Sequence, residues 1–192
     1  MEYRLDVAGR SRTIPGGTGI LLLHPSTAAT DRIDTEFLRG DTDHYLVVST
    51  RTTASEVDQK LEFYDVDRDR ATILDAISIE RGYSRRQSDR VTYLRSPSDI
   101  NGLVNVVTAF LSTLDGKRRI SFDSVTELSY YAGDRNAFDA MEALIELLEE
   151  HEAIGLFHLA VGVHDEDVID EYRRLFDIVI QIDEDGSVTI DD

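Results

Sequence analysis

Short runs of β-forming residues alternate with stretches of helical apolar period along almost the whole chain. No other feature limits the fold as much. Gly19–Leu23, Tyr45–Ser49, Ala71–Ile79, Arg90–Leu94, Arg119–Thr126, Ile154–Val163 and Ile178–Ile182 read as strands. Between them lie Thr30–Leu38, Ala54–Tyr64, Ile100–Leu114, Asp134–Glu150 and Glu166–Phe176. Their apolar residues recur at helical spacing, as Val57, Leu61 and Tyr64 do. Parallel strands need crossover connections, so this order predicts an α/β, three-layer fold. Its sheet is mainly parallel, with helices on both faces and right-handed crossovers. At the end of the chain, Asp183-Glu184-Asp185-Gly186 separates Ile178–Ile182 from Ser187–Ile190 and carries the Asp-Gly hairpin signal. The sheet should therefore finish with an antiparallel hairpin. Met1–Val7 reads as a short edge strand, and Ala8–Gly17, with its Pro15-Gly16-Gly17, as a turn-rich connection.

With 192 residues, 41% of them hydrophobic, the chain has the size and core material of one domain, spanning residues 1–192. No apolar run approaches the ~20 residues of a membrane span. No basic-then-apolar leader opens the chain, so a cytoplasmic protein is expected. The absence of cysteine excludes disulfides, thiol catalysis and thiolate metal sites. The charge is the strongest compositional signal: 38 acidic residues against 20 basic ones, a net −18. Only Lys60 and Lys117 of the basic residues are lysines; the rest are arginines. Carboxylates hold water and hydrated cations, and their mutual repulsion is screened within ~3 Å at 1 M salt. Acid excess with scarce lysine resembles the proteins of extremely halophilic archaea. It weighs against general nucleic-acid binding.

Thr18–Leu38 is a buried strand running into a helix. Phosphate-binding folds place their anion loop at such a junction, because amides at a helix start can hold an anion. That loop needs the pattern G-x-x-x-x-G-K-[ST]. Here it is His24-Pro25-Ser26-Thr27-Ala28-Ala29-Thr30, with no glycine and no lysine. Ser26 or Thr27 is the expected N-cap, with His24–Ala28 as the loop.

In order and spacing the chain, from about Ile14 onwards, resembles the RecA-fold ATPases, in particular their KaiC-like (RecA/RadA-related) branch. The resemblance rests on Gly17–Leu38 with its closing Phe37-Leu38, on Tyr45–Ser49, on Ile73–Ala76, on Arg119–Leu128 (RISFDSVTEL) and on Phe176–Ile180. It implies a RecA-like sheet, with Asp123 and Ser124 at the Walker B-like position. It also implies that neighbouring subunits complete one another's sites. Two catalytic parts are missing. The anion loop has no Gly-Lys-Thr, so no cation meets the β- and γ-phosphates. After the Tyr45–Ser49 strand, where the family usually has acidic residues, stand Thr50-Arg51-Thr52. Asp123 alone would bind Mg²⁺ poorly, since that ion keeps its waters.

Arg81, Arg85, Arg86 and Arg90, with Arg95 beyond, cluster in a chain otherwise short of positive charge. They read either as a docking patch for an acidic partner or as a polar loop pairing with local aspartates such as Asp89. Tyr83 alone does not make a stacking platform for nucleic acid. His158 is expected as a hydrogen-bonded core residue and His24 as a turn residue; no histidine pair has ligand spacing. Ser26 and Ser124 lie outside any G-x-S-x-G context. The acidic face of Asp139–Glu152 reads as solvated surface. The expectation is a domain with no catalytic residues and no metal site, working through a protein partner or a homo-oligomer. No cofactor is expected, apart from any residual binding of ATP and Mg²⁺. A nucleotide or anion sensor is the alternative, and an ATPase with an atypical loop, borrowing Lys60 or Lys117, the weaker one.

Overall fold

The strand Gly19–Pro25 (β3) is the axis of the computed structural model, which describes residues 1–86 and 88–192. Gln87, inside the expected polar loop Glu80–Arg90, lies outside the described residues. Gly19 through His24 are all buried, as an apolar strand covered on both faces must be. β3 pairs in parallel with β8 (Ile154–Val161) and β9 (Ile178–Ile182). The remaining strands of this sheet are β4 (His44–Ser49), β5 (Ala71–Asp75), β6 (Val91–Tyr93), β7 (Arg118–Asp123) and β10 (Val188–Asp191). Their order across the sheet is β10-β9-β3-β8-β7-β4-β5-β6, with only β10 antiparallel.

Two helices, α1 (Asp31–Arg39) and α2 (Ala54–Phe63), cover one face of the sheet. An N-terminal hairpin of β1 (Glu2–Val7) and β2 (Arg10–Pro15) shares that face. Tyr3, Leu5, Phe37, Val57 and Leu61 bury there against Ile20, Val47 and Leu156. The other face carries α3 (Ile100–Thr113), α4 (Val125–Ala132), α5 (Asp134–Glu150) and α6 (Glu166–Leu175). Leu103, Phe110, Leu128, Met141, Leu144 and Tyr172 close the core on that side. The expected α/β three-layer architecture with a C-terminal antiparallel hairpin is therefore present.

Several expected boundaries differ. Residues 10–15, expected as part of a turn-rich connection, form β2. The turn is Ala8-Gly9, both at positive φ (50° and 75°), which lets β1 fold straight back. The strand expected over Ala71–Ile79 stops at Asp75. The Asp75 carboxylate turns the chain by accepting from the Ile77 and Ser78 amides at 3.0 and 2.8 Å. The strand expected to reach Thr126 stops at Asp123, because Ser124 caps α4 by accepting from the Glu127 amide at 3.2 Å.

The N-terminal hairpin is tied to the sheet by Arg119, whose side chain is fully buried. Its Nη2 donates to the Arg4 carbonyl at 2.7 Å and to Asp41 at 2.8 Å. Its guanidinium lies over the Tyr3 and Phe37 rings. A Cβ on Gly40 would strike Arg119 Nη2, so residue 40 has no room for a side chain.

Candidate functional site

The carboxyl ends of β3, β7 and β8 converge beneath α1 and α2, where open parallel sheets place ligand-contacting groups. His24 and Pro25, expected in the loop, belong to β3: they keep its parallel register with Ala160 and Val161. His24 is a buried strand residue rather than a turn residue. Its Nδ1 lies 2.9 Å from the Pro25 carbonyl, and burial lowers its pKa. The loop proper is Ser26–Ala29. It closes on itself, with the Ala28 amide donating to the Pro25 carbonyl at 2.9 Å, while Ser26 and Thr27 are exposed. Neither Ser26 nor Thr27 is the N-cap. That position is Thr30, which has helical dihedrals (φ −91°, ψ −14°) and makes no side-chain cap bond. A tight turn of this kind spends its amide internally, whereas an anion loop leaves its amides free.

Asp123, at the Walker B-like position, is 7% exposed at the end of β7. Its Oδ2 accepts from Arg51 Nη2 at 3.1 Å. Arg51 follows β4, whose Ser49 is the register partner of Asp123. The residue that replaces an expected acid is thus the one that neutralises the remaining acid. Ser124 turns away as the α4 cap, and its amide donates to Thr50 Oγ1 at 2.8 Å.

Behind this pair lies a second, deeper one, for which the sequence carries no local signal. Asp34 of α1 is 1% exposed. It receives Lys60 Nζ at 2.6 Å and the Ser121 hydroxyl. His158 Nε2 is 3.5 Å from its other oxygen. Burial alone would raise the Asp34 pKa, but the Lys60 charge and the His158 contact hold it well below the usual carboxylate range. Burial alone would lower the Lys60 pKa, but Asp34 lifts it above its usual value. His158 is a core residue as expected, but it makes no hydrogen bond among the described residues; its ring lies edge-on to His24 at 5.7 Å. Lys60 is committed to Asp34. Lys117 pairs with Asp41 beside the amino end of β7, at the opposite end of the strand from Asp123.

A cleft of about 830 Å³ opens in front of the loop, walled by Pro25 and Thr27–Ala29 on one side and by the β9–β10 turn on the other. Its charged lining is Glu36, Asp183, Glu184 and Asp185 against Arg32. Arg32 is already bonded to Glu36 at 2.8 Å. The rim is net negative, which opposes a polyphosphate. Among the described residues, no three or more His, Asp or Glu side chains are placed to hold a metal ion. Among the described residues, no helix is long and apolar enough to cross a membrane.

Of the arginine cluster, Arg90 is structural. It donates to the Arg68 carbonyl at 2.5 Å and lies 3.7 Å from Asp58, not from Asp89. Arg81, Arg85 and Arg86 are exposed on the β5–β6 loop, away from the cleft. A sequence signal existed for Arg51, a cation where an acid was expected. The Asp34–Lys60 pair gave none, because it joins two helices across the sheet face.

The fold is shared with solved structures at low identity. The flagellar accessory protein FlaH of Methanocaldococcus jannaschii matches 99% of this chain over 85% of its own length, at 14% identity and TM-score 0.61. A KaiC-like protein of Pyrococcus horikoshii matches 92% of this chain over 77% of its own, at 13% and 0.57. A type III secretion system ATPase of pathogenic bacteria matches 96% of this chain at 13% and 0.66, and there the chain spans only 57% of the ATPase's length. These likenesses establish a RecA/KaiC-like fold. No curated protein matches in sequence. A family model matches residues 1–192 throughout, and the chain belongs to that family, the family of unknown function DUF7090.

Proposed function

We propose that this chain is a RecA/KaiC-like domain without nucleotide hydrolysis, acting as a regulatory or scaffolding protein-interaction module in a halophilic archaeal cytoplasm. The observation that carries this reading is the Arg51–Asp123 ion pair. In a working nucleotide site, Asp123 would serve a magnesium ion and position 51 would lie among acids that orient the attacking water. Here the chain supplies its own cation to Asp123. The lysine that could have replaced the missing loop lysine is held by Asp34. The acidic cleft rim adds a repulsive field where phosphates would sit.

The test is ATP hydrolysis and isothermal titration of ATP–Mg²⁺, using nucleotide-stripped protein in multimolar KCl. No turnover above a no-protein blank and no binding are expected; turnover would overturn the reading. A second reading is favoured by the cleft itself, whose size suits a nucleotide. A sensor that binds without hydrolysis would be stabilised by ~2.7 kcal/mol at 100 times its Kd, visible as a thermal shift with ATP, ADP, GTP or a cyclic nucleotide.

A further inference from the structure

The strongest unexplained surface lies where the β5–β6 loop meets α4. The chain has almost twice as many acids as bases, and Arg32, Arg51, Arg68, Arg90 and Arg135 each pair with a carboxylate. Arg81, Arg85, Arg86 and Arg95 are exposed and, among the described residues, pair with none. Arg10 and Arg174 also lack a carboxylate partner among the described residues, but each stands singly; here three arginines gather on one loop without intramolecular counter-charge, which leaves them open to a negative partner from outside.

The fold adds aromatic rings to this cluster. Tyr130 and Tyr131, at the end of α4, meet edge to face at 5.1 Å. The Arg81 guanidinium lies near the Tyr131 and Tyr83 hydroxyls. Tyr130 is 81% exposed and Tyr83 48% exposed, so large amphipathic rings stand in water next to free guanidinium groups. Tyr83 is local to the arginines in sequence; the return of α4 beside the loop supplies the other two rings. Tyrosine and arginine are, with tryptophan, the residue types enriched among the few that dominate binding energy at protein interfaces. The surface lies outside the cleft between the Ser26–Ala29 loop and the β9–β10 turn.

We propose that Arg81, Arg85 and Arg86, together with Tyr83, Tyr130 and Tyr131, form the docking surface for an acidic segment of a partner protein. Its carboxylates meet the guanidinium groups and its apolar side chains cover the rings. The inference rests on reading the chain as a protein-interaction module, and it names the surface and the chemistry of the partner. Charge complementarity chooses a peptide over a nucleic acid. A polyphosphate gains affinity from many neutralised phosphates, and the few arginines here sit in the field of a −18 molecule. A peptide needs only a few carboxylates and gains as much from the rings. Arginine forks take carboxylates in two parallel hydrogen bonds, which favours a defined register.

The experiment is fluorescence anisotropy with a labelled random copolymer of glutamate and tyrosine, at a KCl concentration that keeps the protein folded. Saturable binding is expected. The double variant Arg81→Glu/Arg85→Glu should weaken it at least tenfold, and Tyr130→Ala several-fold. Arg174→Glu, an exposed charge reversal outside the patch, should leave it within twofold. All these side chains are exposed, so melting temperatures should stay near that of the parent. Three results would overturn the proposal: no binding, equal loss in Arg174→Glu, or tighter binding of oligo-deoxythymidine that disappears in the same variants. Light scattering that shows a dimer broken by Arg81→Glu would assign the surface to self-association and also overturn it. ATP turnover is measured on the same preparation. Turnover with intact peptide binding removes the non-catalytic reading alone, and absent peptide binding without turnover removes the docking surface alone.

Discussion

Single charged side chains decide what the converging strand ends can do. Asp34 is closed off from water and Lys60 is 18% exposed, so removing Lys60 leaves a buried carboxylate uncompensated. Lys60→Met should therefore destabilise the protein by about 3–5 kcal/mol in denaturant titration. The more conservative Asp34→Asn keeps the shape and should cost less. The pair also sets a pH dependence. The folded Asp34 pKa is depressed, so its stabilisation is present above the unfolded value of about 3.9 and is lost as pH falls below it. The folded Lys60 pKa is raised, so its stabilisation holds below about 10.4 and fades above that. Both limbs report one interaction and are not summed. Thermal melts across pH should show a flatter acid limb in Asp34→Asn than in the parent; identical acid limbs would contradict the assignment. Arg51–Asp123 differs in kind. Arg51 is 44% exposed in its side chain, so the pair contributes little stability, and its consequence is to occupy Asp123.

At the level of elements, Asp75 links β5, α2 and the turn that follows β5. It is fully buried and accepts from the Ala54 amide at 2.7 Å, from the Ser78 hydroxyl at 2.6 Å and from two turn amides. Asp75→Ala would orphan three buried amides at ~1–3 kcal/mol each, with incomplete additivity. A loss of about 3–5 kcal/mol is expected, with faster hydrogen exchange at Ala54, Ile77 and Ser78. Exchange unchanged at those amides would show that other groups hold the turn. This carboxylate also explains why an apolar run extending to Ile79 yields a strand only to Asp75. Buried Ala76 and Ile77 keep the apolar character that a strand would have, while the chain has already turned. Ser124 has the same effect after β7, where capping α4 outweighs the β-forming Val125 and Thr126.

For the whole molecule, a net charge of −18 makes stability depend on ionic strength. Self-repulsion among carboxylates is long-ranged at low salt and confined to ~3 Å at 1 M. The melting temperature should rise steeply as KCl increases from dilute buffer towards molar concentration, by more than a protein of balanced charge shows. A melting temperature independent of KCl would contradict the halophilic reading. The acidic residues of α5 are exposed, as its amphipathic pattern required, and contribute to this effect.

The sequence by itself determined the layered α/β plan, because strand and helix periods are local and a parallel sheet follows from their order. It also determined that the junction after Gly19–Leu23 has neither the lysine nor the glycines of an anion loop, since those are residue identities. Only the tertiary structure decided which charges meet at the strand ends. Arg51 meets Asp123 because β4 and β7 are neighbours in register, and Lys60 meets Asp34 because α1 and α2 share one face. The same holds for Tyr131 beside Arg81, residues far apart in the chain. Such pairings depend on strand order and helix placement, and periodicity along one segment carries no information about which distant charge it will face.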